Sequence, residues 1–243
     1  MCTRFHLLKE HLRTVLADLG IEAPADVASR YNIAPTSRVF AIRPRAAEAT
    51  AAATDLEAVT LRWGLTPAWS RSDEPAARLV NARAETVASK PSFRAALRSR
   101  RCVIPASGFY EWETVGRAKR PWLFRRRDER PFGFAGLWET WRGPDGTDVE
   151  SCAIITTTPN AVLQPIHDRM PVMLEPAQFS AWLDLWNSEP AAFAELLRPA
   201  PAESMSALAV SRHVSNVRHE GPECIAPAGV EPGDEDPQFS LNW

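Results

Sequence analysis

The most distinctive chemical group of this sequence lies at position 2. Cys2 directly follows Met1 and precedes Thr3 and Arg4. Removal of Met1 would leave Cys2 with a free α-amine, whose pKa is about 7.7–8.0, beside a thiol with a pKa of about 8.5. Such an aminothiol condenses with an aldehyde to an imine, and its sulfur then closes a thiazolidine ring. Cys2 therefore points to aldehyde capture, but taken alone it is better explained as a frayed terminal residue without function.

Three further polar residues have side chains suited to hydrogen bonding or proton transfer. Asn81 follows a short apolar stretch, Glu111 stands among the aromatic residues of 108–113, and His167 lies in a polar segment bracketed by two prolines. Each has an ordinary alternative: a turn or cap for Asn81, an exposed strand face for Glu111, and a structural role for His167. Taken singly, none of them identifies a function.

The composition excludes several classes of protein. With 243 residues and 45% hydrophobic content, the chain predicts a soluble globular protein of one domain, or at most two. The four cysteines are far apart and form no C-x-x-C pair, so we expect no zinc site, no cofactor and no disulfide framework. A reducing cytoplasm is their simplest location. No signal peptide and no apolar run long enough to cross a bilayer is visible, so we expect no membrane association.

The charge of the chain is unevenly distributed. The formal net charge is −2, but residues 231–243 contain four acidic residues and no basic one, which leaves +2 on residues 1–230. We therefore predict a folded domain over residues 1–230 and an acidic, disordered tail over residues 231–243. An anionic partner would have to be bound by a local groove rather than by the whole surface.

Hydrophobic periodicity predicts more strands than helices. Strands are predicted at 39–42, 59–64, 79–86, 102–105, 108–113, 122–126, 132–141, 152–157 and 207–213, with a surface loop at 44–58. Helices are predicted at 8–19, 91–101, 176–187 and 190–197, with a short one starting at Thr158. The basic residues Arg98, Arg100 and Arg101 fit a solvated helix end. Because helices do not alternate with strands, the pattern favours a single α+β domain with a largely antiparallel, barrel-like sheet and peripheral helices.

Six blocks of the sequence occur in the order typical of one protein family. They are Met1–Phe5, Arg30–Pro35, Trp63–Leu65, Asn81–Thr86, Gly108–Trp112 and Ile166–Pro171. The chain resembles the SOS-response-associated peptidase (SRAP) family, also called abasic-site processing proteins, from residue 2 to about residue 227. It departs from the family in having Thr3 where Gly is usual, and Ser70 where some members have a second aromatic residue.

The resemblance implies a cytoplasmic monomer, associated with the nucleoid when bound to DNA, that binds abasic sites in single-stranded DNA. Cys2 would form a thiazolidine crosslink with the sugar aldehyde, and AP-lyase activity and crosslink reversal would accompany it. The implied catalytic residues are Cys2, Asn81, Glu111 and His167. The implied DNA-binding residues are Arg4, Arg83 and Arg169 for phosphates, Trp69 for base stacking, and Thr156 as a weaker candidate.

Two other functions remain open at this point. An N-terminal-nucleophile cysteine peptidase, with removal of its own Met1 as one of its reactions, would use the same Cys2 with its amine or Glu111 as the base. A binder of modified bases would need no nucleophile at all. Thiazolidine formation requires both the amine and the sulfur of Cys2, whereas a peptidase depends mainly on the thiolate, so the two catalytic hypotheses can be separated by substitution of Cys2.

Overall fold

A computed structural model of the chain describes residues 2–45, 55–73, 79–186 and 190–229. The strands of this described part are β1 Phe5–Leu7, β2 Arg30–Ile33, β3 Arg38–Pro44, β4 Leu56–Trp63, β5 Asn81–Arg83, β6 Arg101–Ala106, β7 Gly108–Val115, β8 Ala118–Arg126, β9 Phe132–Arg142, β10 Asp148–Thr157, β11 Met170–Pro171, β12 Met173–Leu174 and β13 Met205–Ala209. Its α-helices are α1 Lys9–Asp18, α2 Arg94–Ser99 and α3 Phe179–Leu183, and the remaining helical turns are short 3-10 segments.

Five strands close into a barrel. β3 pairs with β4 and β6, β9 pairs with β6 and β10, and β10 pairs with β4, so that the order β10-β4-β3-β6-β9 returns to β10. Of these pairs only β10 with β4 is parallel. The strands come close at Gly136, where a Cβ atom would lie 2.8 Å from the Sγ of Cys102. The expected antiparallel, barrel-like core of a single α+β domain is confirmed.

Strand β10 exchanges partners along its length, and this exchange positions one side of the candidate site. Its first half pairs with the end of β4, through Cys152 and Trp63. The chain then leaves the barrel at Gly64, whose φ of 131° suits a residue without a side chain. The short strand β5 takes the vacated edge and pairs in parallel with Ile154–Thr156 of β10. Asn81 and Arg83 are thereby fixed beside the end of β10.

A second sheet, in the order β13-β8-β7-β1-β2, anchors the N-terminal segment. β1 lies between β7 and β2, with Phe5 opposite both Phe109 and Ile33. The Phe5 ring is fully buried and packs edge-to-face on Trp63 at 5.3 Å and on Phe134 at 5.4 Å between centroids. Because edge-to-face pairing adds to the burial of three large rings, the chain is held firmly three residues after Cys2.

The helix predictions have mixed outcomes. Helix α1 and the glycine that follows it, Gly20 with φ of 68°, are confirmed. The helix predicted at 91–101 is limited to Arg94–Ser99, and the prediction that Arg101 ends it in solvent is wrong. Arg101 is 0% exposed at the start of β6, where its Nε donates to Trp182 O at 2.7 Å and its Nη1 donates to Leu97 O at 2.8 Å. A buried guanidinium is tolerated here because backbone carbonyls accept its N–H groups.

The second half of the chain is less helical than predicted. The helix expected at 176–187 consists of a 3-10 turn at Pro176–Gln178 followed by α3, and that at 190–197 consists of two 3-10 turns, Pro190–Phe193 and Glu195–Leu197. The segment after Thr158 forms turns rather than a helix, and the last strand starts two residues earlier than predicted. The predicted loop at 44–58 includes the end of β3 and the start of β4, and its centre lies outside the described residues, as does the predicted tail. None of the helices in the described segments has the length and apolar character needed to span a membrane.

Candidate active site

Cys2 is anchored inside the protein rather than frayed. Its residue is 0% exposed, and its carbonyl oxygen accepts a hydrogen bond of 2.8 Å from Nδ2 of Asn81. Two residues later, the carbonyl of Arg4 accepts a bond of 2.9 Å from the backbone N–H of Tyr110 in β7. The N-terminal segment is therefore tied to β5 on one side and β7 on the other. Of the atoms of Asn81, Oδ1 is buried and accepts no hydrogen bond from the described residues.

The surroundings of Cys2 keep its thiol protonated. Burial raises the pKa of the thiol far above its ordinary value, and the negative charge of Glu111 raises it further. A hydrogen bond from the Arg4 backbone lowers it by less. Since a thiolate is needed for attack on a peptide carbonyl, this environment is unlike that of an activated cysteine protease.

Glu111 lies in β7 and is 4% exposed. Burial raises the pKa of its carboxyl group to about 7, and the nearby negative charge of Asp168 acts in the same direction. Side chains alternate along this strand: Phe109 packs against Phe134 of the barrel, whereas Tyr110 belongs to a separate apolar cluster. A carboxyl group with a pKa near the working pH can both give and take a proton.

His167 faces Glu111 from the turn that follows β10. Its Nε2 is 3.9 Å from Oε2 of Glu111, and its side chain is 25% exposed. Its Nδ1 lies 3.0 Å from the backbone N of Arg169, a donor, and 3.3 Å from Arg169 O and 3.1 Å from Asp168 Oδ1, which are acceptors, so these contacts suit either tautomer of the ring. Burial lowers the pKa of His167, which keeps the ring neutral at pH 7. Nε2 points toward Glu111 and the space around it.

Arg169 lies beside this pair but is already bonded. Its Nη1 and Nη2 donate to the two carboxylate oxygens of Glu85 at 2.7 and 2.9 Å, and Nη2 also donates to Thr156 O at 2.7 Å. The Thr156 side chain is 1% exposed, and its hydroxyl lies 3.5 Å from Ala82 O. Thr156 thus supports Arg169 through its backbone carbonyl, and contact of its side chain with DNA stays a prediction.

Arg4 is 8% exposed and takes part in an internal network. Its Nη1 donates to Asn32 Oδ1 at 2.6 Å and to Val214 O at 2.9 Å, and its guanidinium lies 5.4 Å from the centroid of the Trp112 ring. Asn32 in turn donates to carbonyls of the segment at 214–219. Arg4 therefore joins the N-terminal segment to the last part of the fold, and phosphate binding by Arg4 stays a prediction.

The two remaining predicted DNA-binding residues lie on the surface. Trp69 is 67% exposed, and Arg83 is exposed at the end of β5. An exposed tryptophan offers a flat apolar face of the kind that stacks on a nucleic acid base. The exposure of both side chains suits these roles, and base stacking by Trp69 and phosphate binding by Arg83 stay predictions.

Sequence reasoning missed three residues that shape this site. Glu85 binds Arg169, Asn32 binds Arg4, and Asp168 places a negative charge near Glu111 and lies 3.1 Å from Nδ1 of His167. All three stand within the sequence blocks that resemble the family. The available signal was a polar or charged residue inside an otherwise predicted site segment. Apart from the contact of Asp168 with its neighbour His167, their partners are distant in sequence and become visible only in the folded chain.

Several known proteins match this chain over nearly its whole length. The chain is 36% identical over 229 residues to the abasic site processing protein YoqW of Bacillus subtilis, covering 93% of this chain and 99% of that protein. It is 30% identical over 234 residues to the abasic site processing protein YedK of Escherichia coli, covering 93% of this chain and 100% of the relative. A crystal structure of a protein from Bacteroides thetaiotaomicron superimposes with a TM-score of 0.80 at 26% identity, covering 93% of this chain and 100% of the other.

The family model described as SOS response associated peptidase (SRAP) matches residues 1–217. This match includes all nine site residues that the sequence predicts, from Cys2 to Arg169, together with the barrel and the N-terminal strand that position them. The chain belongs to the SRAP family.

Proposed function

We propose that this protein binds abasic sites in single-stranded DNA and crosslinks to them through Cys2 after Met1 has been removed. The observation that supports this most is the grouping of Asn81, Glu111 and His167 around the N-terminal segment. Relatives that match nearly the whole chain are named abasic site processing proteins. An abasic deoxyribose opens to an aldehyde at C1′, which is the electrophile that an aminothiol captures.

The chemistry starts with addition of the Cys2 amine to the C1′ aldehyde to form a carbinolamine. Glu111, with a pKa of about 7, donates the proton with which the hydroxyl leaves as water, giving the imine. The Cys2 sulfur then adds to the imine carbon while its proton moves to the nitrogen, which closes the thiazolidine with net loss of one water. Reversal follows the same steps backwards, with the Glu111 carboxylate available as the base.

His167 and Asn81 would orient the sugar. In the tautomer that carries its proton on Nε2, His167 can donate a hydrogen bond to the ring oxygen or to the O4′ hydroxyl formed on opening, which favours the aldehyde form. Asn81 already bonds the Cys2 carbonyl through Nδ2, so its Oδ1 can accept from the new α-amine or a sugar hydroxyl. Fixing amine and aldehyde at short range removes much of the entropic cost of their reaction.

AP-lyase activity is the second chemical outcome of the same intermediate. An iminium at C1′ acidifies the C2′ proton, so a base that removes this proton expels the 3′ phosphate by β-elimination. Closure of the thiazolidine removes the iminium and stops this route. The balance between crosslink and strand cleavage is then set by how fast the sulfur adds relative to loss of the C2′ proton.

The environment of Cys2 favours this function over peptide hydrolysis. Burial and Glu111 both raise the pKa of the thiol, so little thiolate is present at neutral pH. Attack of the Cys2 sulfur on a peptide carbonyl would therefore be slow, because that attack needs the thiolate. The sulfur needs much less activation for addition to a neighbouring imine, because the reaction is intramolecular.

Intact-mass analysis of the protein mixed with an abasic single-stranded oligonucleotide tests the proposal. We expect one adduct per chain, with the mass of the chain lacking Met1 plus the oligonucleotide minus one water. Cys2→Ser should abolish the heat-stable adduct while leaving an imine that borohydride traps. Cys102→Ala removes another buried thiol and should leave the adduct intact. A heat-stable adduct with Cys2→Ser, or with a chain that retains Met1, would refute the thiazolidine mechanism.

A further inference from the structure

The guanidinium of Arg169 is occupied by an internal anion. Glu85 presents both carboxylate oxygens to Nη1 and Nη2 of Arg169 at 2.7 and 2.9 Å. A phosphate offers a guanidinium the same paired oxygens at the same spacing. Glu85 therefore sits where a bidentate phosphate contact with Arg169 would have to form.

The backbone places Glu85 between two arginines predicted to bind phosphates. Glu85 follows β5 by two residues, after Arg83, whose positive charge also acts on the Glu85 carboxylate. The carbonyl of Thr156 accepts bonds from both the Ala84 N–H, at 2.8 Å, and Nη2 of Arg169. One backbone oxygen thus sets the position of both members of the ion pair relative to β10.

The two partners differ in their freedom to move. The Arg169 side chain is 13% exposed and has a second anchor at Thr156 O, whereas the Glu85 side chain is 46% exposed and borders solvent. Rotation of Glu85 outward would free the guanidinium without shifting it. The arginine is held in place for an incoming anion, and the carboxylate is the partner that can leave.

We propose that Glu85 is an internal competitor for DNA phosphate, occupying the phosphate-binding face of Arg169 in the free protein and giving it up when single-stranded DNA binds. This inference rests on the proposed function, because it assumes that Arg169 binds a phosphate beside the abasic site. Because the phosphate must replace the Glu85 carboxylate, the contact between DNA and Arg169 contributes less binding free energy than it would with a free guanidinium. Glu85 thereby weakens the binding of single-stranded DNA that this arginine would otherwise favour.

Binding to a single-stranded oligonucleotide containing a tetrahydrofuran abasic analogue, which has no aldehyde, tests the proposal by fluorescence anisotropy. We expect Glu85→Gln and Glu85→Ala each to bind the oligonucleotide about 5-fold more tightly than the natural chain. This factor corresponds to about 1 kcal/mol, which is the upper end of what an exposed ion pair contributes. The matched control is Glu129→Gln. Glu129 lies in the turn between β8 and β9 and forms an exposed ion pair with Arg125 of β8, so loss of its carboxylate should leave the affinity for the oligonucleotide unchanged.

A double-mutant cycle distinguishes competition of Glu85 with phosphate from a role of Glu85 in positioning Arg169. If Glu85 competes, Arg169→Ala will cost more affinity in the Glu85→Gln background than in the natural chain. If Glu85 instead supports Arg169 in a productive position, Glu85→Gln and Glu85→Ala will bind more weakly, which would overturn the proposal, as would unchanged affinity. Adduct formation with the aldehyde-containing oligonucleotide is measured separately. A natural chain that crosslinks while Glu85→Gln shows no gain in affinity refutes only the role of Glu85, whereas absence of an adduct in the natural chain refutes the proposed function.

Discussion

Arg101 and Glu111 are both almost completely buried, at 0% and 4% exposure, but their surroundings differ. The guanidinium of Arg101 donates to backbone carbonyls of Leu97, Trp182 and Asp184 and lies 4.7 Å from the centroid of the Phe193 ring. These bonds join α2, α3 and the residue that follows α3 to the barrel. They stabilise the charged form of the guanidinium. The carboxyl group of Glu111 has its pKa raised by burial to about 7 and changes its charge near neutral pH.

The contrast separates structural from chemical use of a buried ionisable group. A buried guanidinium whose N–H groups donate to backbone carbonyls has a structural role, and it stays protonated. A buried carboxyl group with a raised pKa opposes folding at neutral pH and is suited to proton transfer, which is typical of functional sites.

The first prediction concerns the rate of crosslink reversal. Glu111→Gln should slow reversal by about 10²–10⁴-fold, because a general acid/base contributes on that order to a proton-transfer step. Release of the oligonucleotide from a purified crosslink, followed by gel electrophoresis, measures the rate. Glu113→Gln is the matched control, since Glu113 lies on the same face of β7 and accepts a bond from Trp122 Nε1 at 3.0 Å. Equal reversal rates for Glu111→Gln and the natural chain would remove Glu111 from the mechanism.

The second prediction concerns the structural partner of the comparison. Arg101→Met should lower the free energy of unfolding by about 3 kcal/mol, because it leaves several buried carbonyls without a donor. Urea unfolding followed by tryptophan fluorescence measures this loss. Arg142→Met, which removes an exposed pair with Asp148 at 3.3 Å, should cost about 1 kcal/mol or less. Crosslinking by the folded fraction should be unchanged in both variants, and a loss of crosslinking in folded Arg101→Met would contradict a purely structural role.

The third prediction concerns the pH dependence of stability. The pKa of Glu111 is raised in the folded chain from an ordinary value of 4.5 to about 7, so the folded form keeps a proton that the unfolded form loses in this interval. The free energy of unfolding therefore falls as pH rises through the interval, by at most about 3.4 kcal/mol, and this loss is constant above it.

Glu111→Gln removes this titration. Relative to the natural chain, the variant should gain stability between pH 4.5 and about 7 and keep that gain at higher pH. Urea unfolding of both proteins across this range gives the difference, in which the other titrating groups cancel. A difference that does not vary with pH would show that the pKa of Glu111 is not raised.

Sequence reasoning reached the strands more reliably than the helices. The core segments around Val103, Leu137 and Ile154 contain apolar residues dense enough to predict strands from local pattern alone, and all three lie in the barrel. The helices at 176–187 and 190–197 were overpredicted, because amphipathic spacing also suits short 3-10 turns that pack on a sheet. The closure of the barrel through the parallel pair of β10 with β4 has no local signature, since it joins residues about ninety positions apart.

The sequence alone identifies Cys2 as the candidate nucleophile, because a cysteine directly after Met1 can become an aminothiol. It also identifies the polar residues that could serve it, because their side chains can donate or accept protons and hydrogen bonds. The family also follows from the order of short blocks along the chain. Only the tertiary structure decided that Arg101 is buried, that Glu111 lies close to His167 and has a raised pKa, and that Glu85 occupies Arg169. Burial, pKa and ion pairing depend on neighbours supplied by distant parts of the chain, and folding alone brings these together.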